Sequence, residues 1–142
     1  MSELTGVLVL VVVLAAATGF GLVRAARDGR MRGAKPGPAL RLTGADLGQP
    51  LGDQATLVQF STEFCANCPG TRRLLGEVAA DRPGVRLVEI DAEERLDLVR
   101  RADVMRTPTV LVLDRHGRVA RRSAGAPSRS EVLAALELAA AS

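Results

Sequence analysis

From Leu4 to Val23 the chain runs for 20 residues without a charged side chain. A helix of that length, at about 1.5 Å per residue, spans about 30 Å, the thickness of a bilayer's hydrocarbon core. Gly6, Gly19 and Gly21 do not argue against it, because glycine is common in membrane helices. A cleaved signal peptide would carry positive charge ahead of its apolar run, and only Met1, Ser2 and Glu3 stand there. The run is therefore read as a retained anchor. This divides the chain into a short tail (1–3), a transmembrane helix (4–23), a basic juxtamembrane linker (24–39) and a folded domain (40–142).

The net charge of +3 points to this junction and not to nucleic acid. Between Leu40 and Ser142 the 14 arginines are balanced by 14 acidic residues. The excess sits in Arg24, Arg27, Arg30, Arg32 and Lys35, opposed there only by Asp28. Basic residues that flank a span tend to stay in the cytoplasm. The expected topology is a single-pass membrane protein with its N-terminus outward and its domain cytoplasmic, the opposite arrangement being the alternative. Gly33 to Pro38, with two prolines, reads as the linker proper.

Within the domain, hydrophobic spacing sets out the elements. Leu40 to Leu42 suggests a short edge strand, and Thr43 caps a helical turn reaching Leu47. Ala55 to Ser61 is a strand, followed by a helix from about Cys65 to Asp81 that Pro83-Gly84 ends. Val85 to Ile90 is a second strand, and Asp91 to Asp103 a second helix with Asp91 as its cap. Thr109 to Leu113, apolar and β-branched, is expected to be a buried strand. Asp114 to Gly117 turns the chain, Arg118 to Ser123 pairs back, and a last helix starts at Pro127-Ser128. His116 falls in that turn and is given no role.

The chain's two cysteines, Cys65 and Cys68, stand where the first long strand gives way to its helix. The first turn of a helix has unpartnered N–H groups and the positive end of its dipole. A thiol there is stabilised as the thiolate, which is the nucleophile. Cys65, at the exposed edge, is read as the attacking sulfur and Cys68, one turn in, as the resolving sulfur. An intramolecular zinc site lacks ligands, since His116 is the only histidine. Haem attachment needs a histidine after the second cysteine, and Pro69 stands there. A disulfide closing so small a loop would constrain the unfolded chain very little.

The order β-α-β-α-β-β-α, with Cys65-Ala66-Asn67-Cys68 after the first strand and Thr107-Pro108 before the buried one, resembles the thioredoxin family over roughly Leu40 to Ala140. The resemblance implies an α/β fold, a thioredoxin-like mixed sheet covered by helices on both faces, preceded here by one transmembrane helix. It implies a cis Thr107–Pro108 bond beside the cysteines. Thr107 backbone would pair with an extended substrate, and Phe64 and Gly125 would border the groove. No cofactor is expected beyond the Cys65–Cys68 dithiol/disulfide. Phe64 stands where the family usually has Trp. Gln59 stands where many members bury an Asp that helps deprotonate the second cysteine, and Leu87 where its Lys partner would be. Gln cannot take a proton near neutral pH, so slower turnover or a narrower substrate range is expected.

The reading is a membrane-tethered thiol–disulfide oxidoreductase acting as a reductase on protein disulfides. Its electrons would come from a separate donor, since no Gly-rich dinucleotide loop is present. The alternative is a thioredoxin-like binding module that delivers copper, since two thiolates suit Cu(I). Met31 and Met105 are not adjacent to the pair, which weakens it.

Overall fold

The computed structural model describes residues 2–34 and 39–142. A long helix, α1 (Ser2–Arg27), leads into a five-stranded sheet of order β1-β5-β4-β2-β3. The strands are β1 (Arg32–Gly33), β2 (Ala55–Ser61), β3 (Val85–Asp91), β4 (Thr109–Asp114) and β5 (Val119–Ala124). The helices after α1 are α2 (Gly44–Leu47), α3 (Cys68–Ala80), α4 (Leu96–Arg101) and α5 (Arg129–Ala140). β2 runs parallel to β3 and antiparallel to β4, which runs antiparallel to β5. The parallel pair needs a crossover, and α3 supplies it.

Every residue of β2 and β4 is buried. A strand with neighbours on both sides and helices on both faces has no solvent side, so burial is continuous instead of alternating, and the polar residues in it, such as Thr56, Gln59 and Thr109, are buried too. On one face Ala55, Leu57, Val110 and Val112 pack under Leu75 and Val78 of α3 and Val132, Ala135, Leu136 and Ala139 of α5. On the other, Val58, Phe60, Leu111 and Leu113 meet Leu47 of α2 and Leu98 of α4. The mixed sheet with helices on both faces is the expected one.

Two helix starts are fixed by reciprocal caps. Thr43 accepts from the Asp46 N–H while the Asp46 carboxylate accepts from the Thr43 N–H, and Ser128 with Glu131 repeats the arrangement on α5. Other expectations need correction. The helix read over Asp91–Asp103 is confined to α4: the Asp91 carboxylate accepts from the Glu93 N–H and closes a turn first. Leu40 to Leu42 forms no strand, only a bridge between Arg41 and Arg118.

The apolar segment is helical beyond Val23, to Arg27, and its described side chains are exposed along its whole length from Glu3. It is the one helix among the described residues long and apolar enough to cross a membrane, and its most apolar 18-residue stretch has a mean hydropathy of 2.6. The basic segment after it, read as a linker over 24–39, is built into the domain over its described part. Gly29 donates to the Ala124 carbonyl at 3.0 Å, and β1 pairs with β5. Residues 35–38 of that linker, and Met1 of the tail, lie outside the described residues.

Candidate active site

β2 ends at Ser61 and the chain turns through Thr62 to Asn67 before α3. Cys65 lies in this turn and Cys68 opens the helix, so α3 starts three residues later than the spacing suggested. Pro69 accounts for the placement, since a residue without an N–H fits a helix's first turn. The Cys68 N–H donates back to the Cys65 carbonyl at 3.3 Å and closes the turn. Thr71 donates both its N–H and its hydroxyl to the Asn67 carbonyl. The Asn67 side chain makes no capping bond, so the positive end of α3 is left to whatever sits before it.

Cys65 and Cys68 are joined in a disulfide with Cα atoms 5.4 Å apart. Cys65 is half-buried and Cys68 is 2% exposed. A partner can therefore reach the first sulfur and not the second. Phe64, immediately before them, is 90% exposed.

The Thr107–Pro108 bond is cis. Its loop meets the cysteine turn through the Thr62 and Thr107 hydroxyls, 3.1 Å apart. The Gly125 N–H donates to the Pro108 carbonyl at 2.7 Å. Gly125 has φ +112°, and a Cβ there would stand 2.8 Å from the Gly29 nitrogen, so only glycine fits. Cys65, Cys68, Thr107, Pro108 and Gly125 thus lie in one connected cluster, while Phe64 projects from it.

Beneath the pair lies Gln59, fully buried in β2. Its amide nitrogen donates to the Cys68 carbonyl at 3.0 Å, and its amide oxygen has no hydrogen-bond partner among the described residues. Leu87, partly buried in the same layer, brings no charge to it.

Residue spacing gave no sign of three further contributors. Thr62 is joined to the Pro108 loop by a bond across 45 residues. Arg106, one residue before Thr107, donates to the Asp28 carboxylate at 2.8 Å and to the Ala124 carbonyl at 2.7 Å. The Arg106 hydrogen bond holds the Asp28 carboxyl below its ordinary range. That pair ties the end of α1 to the loop that carries Pro108, 78 residues away in sequence.

The sequence profile of the thioredoxin family matches residues 42–137. The chain belongs to the thioredoxin family. With its Cys65–Cys68 pair, this thioredoxin-family chain is a thiol–disulfide oxidoreductase, whose partners in general are protein disulfides and a reductant. Solved thioredoxins share the fold at low identity. Mitochondrial thioredoxin 3 of Saccharomyces cerevisiae superposes with a TM-score of 0.53 at 20% identity, covering 60% of this chain and 78% of that one. Thioredoxin-2 of a malaria parasite, described as a component of its protein secretion machinery, gives 0.53 at 18% identity over 59% and 82%. A variant thioredoxin of Halobacterium salinarum gives 0.53 at 19% identity over 60% and 74%. No curated protein sequence matches the chain significantly.

Proposed function

We propose that this protein is a membrane-tethered reductase of protein disulfides, with Cys65 attacking and Cys68 resolving. The observation that carries the reading is the asymmetry of the pair: a reachable Cys65 ahead of an uncapped helix start, bonded to a buried Cys68. The Cys65 thiolate attacks a substrate disulfide, forms a mixed disulfide and releases one substrate thiolate. Cys68, deprotonated, attacks the Cys65 sulfur, closes the Cys65–Cys68 disulfide and releases the second. Two electrons pass to the substrate, and a separate dithiol donor returns them. An extended substrate strand would lie across Phe64, Thr107, Pro108 and Gly125.

The uninterrupted exposure of α1 supports the anchor, since an 18-residue stretch of mean hydropathy 2.6 with no protein around it needs an apolar solvent. The cluster Arg24 to Arg32 behind it favours the cytoplasmic side for the domain. Tethering raises the effective concentration of partners at the same membrane.

The test is trapping in native membranes. The Cys68→Ser variant should accumulate mixed disulfides through Cys65, reversed by dithiothreitol and absent from Cys65→Ser/Cys68→Ser. Retention in the membrane through a carbonate wash checks the anchor, and protection of reduced Cys65 from an impermeant thiol reagent in intact cells checks the side. No trapped species with any disulfide substrate would remove the enzyme reading. A copper-delivery module would instead lose metal in the same variant and trap nothing.

A further inference from the structure

Where α1 meets the domain there is a cavity of about 780 Å³. Its lining is part apolar and part cationic. Phe20 and Val23, on the last turns of the apolar span, line it, as does Met105, which is 85% exposed. Arg24, Arg27, Arg30 and Arg32 line it too, with Arg106 and Arg122 from the domain. Two aspartates line the same space, Asp28 and Asp103, and Asp28 is already answered by Arg106. Arg122 donates to the Ala102 and Asp103 carbonyls. None of Arg24, Arg27, Arg30 and Arg32 makes a salt bridge among the described residues.

We infer that this cavity binds the headgroup of an anionic phospholipid. The inference rests on the membrane-spanning reading of α1. A span of 20 residues from Leu4 ends at Val23, which sets Arg24 at the phosphate level and Phe20 one turn deeper. Phe20 to Arg27 is about 10 Å along the helix. Over that distance the residues of α1 that line the cavity pass from apolar, Phe20 and Val23, to cationic, Arg24 and Arg27, as a phospholipid passes from acyl chain to phosphate. Basic side chains at this depth attract anionic lipid, and an arginine fork suits phosphate oxygens. The lining arginines do not belong to a free tether: Gly29 and β1 are hydrogen-bonded to β5, so the cations are held in place before a lipid arrives. The same docking sets the Arg106–Pro108 loop, and with it the cysteine turn, beside the bilayer surface. Substrate disulfides would then lie close to the membrane plane.

The test uses the full chain reconstituted in phosphatidylcholine bilayers, with spin-labelled phosphatidylglycerol or phosphatidylcholine as the probe. The fraction of probe immobilised at the protein gives their relative affinities. Phosphatidylglycerol should be preferred several-fold. Arg24→Gln/Arg27→Gln/Arg30→Gln should bring the ratio close to one, and Arg73→Gln/Arg86→Gln, on exposed arginines elsewhere, should leave it unchanged. If inorganic phosphate at millimolar concentration displaces the lipid, the site takes free phosphate and the lipid assignment is overturned. If the protein stays in the bilayer after carbonate washing and the two probes are immobilised equally, this inference fails and the anchor stands. If the protein washes off, the anchor fails, and the inference with it.

Discussion

The buried amide of Gln59 donates to the carbonyl of Cys68 at 3.0 Å, and its own oxygen is left without a partner. The residue behind Cys68 therefore holds the backbone of that cysteine and offers no group that ionises near neutral pH. Gln59→Asp would place a carboxyl in this apolar layer. Reaction of Cys68 with the mixed disulfide should accelerate, on the order of tenfold, because a base then stands near its thiol. Burial raises the carboxyl's pKa above its unfolded value of about 3.9, so the folded state favours the protonated form. Relative to wild type, the variant should lose stability as pH rises from about 4 through the raised pKa. Single-turnover kinetics and melting temperature against pH check both. Gln59→Leu, which removes the donor and the orphaned oxygen together, should shift stability by about 1 kcal/mol or less.

Gly29 has φ +79°, and a Cβ there would meet the Ala126 carbonyl oxygen at 2.1 Å. Gly29→Ala should therefore release the segment after α1 from β5 while the two buried layers stay intact. Limited proteolysis should cut near residues 28–34 at least several-fold faster. The domain's melting temperature should fall by only a few degrees, since β1 contributes two residues to the sheet.

Phe64 is 90% exposed beside Cys65 and takes no part in either buried layer. Phe64→Ser should leave stability within about 0.5 kcal/mol. It should raise KM for protein disulfides several-fold and leave reduction of a small aromatic disulfide unchanged. Steady-state kinetics with the two substrate types separate a docking surface from an idle one.

Asp46 accepts from Arg101 and from the N–H and hydroxyl of Thr43, and its carboxyl is held far below the usual range. A depressed folded pKa means the stabilisation is complete above the unfolded value of about 3.9 and is lost as pH falls through the folded one. Asp46→Asn should cost about 1 kcal/mol at pH 7. The gap between variant and wild type should narrow below about pH 4, read from thermal unfolding followed by circular dichroism.

Much of this was legible in the residues. The run Val110 to Leu113 announced a central strand because an unbroken apolar, β-branched stretch has no face to give to solvent. Cys65 and Cys68 announced the site because their reactivity depends on a local feature, the start of α3. Thr43 announced its cap, and Pro127-Ser128 the start of the last helix, because capping acts over three residues. The failures are where a competing local bond or a distant partner decides. Asp91 to Asp103 has helical spacing, yet a local Asp91–Glu93 bond takes its first turn. The segment after α1 has a linker's composition, yet Arg106 and β5 hold it. Neither the Thr62–Thr107 contact nor the Asp28–Arg106 pair has a period or spacing to betray it.

The proposed function requires that Cys65 be the attacking sulfur, held as an anion by the start of α3. Its pKa in the reduced full chain, read from the pH dependence of alkylation by iodoacetamide and located by mass spectrometry, tests this most directly. Cys65 should be alkylated first, with a midpoint at or below about pH 7.5, while Cys68 stays protected in the folded protein. A midpoint near that of a free thiol, about 8.5, or alkylation of Cys68 ahead of Cys65, would contradict it.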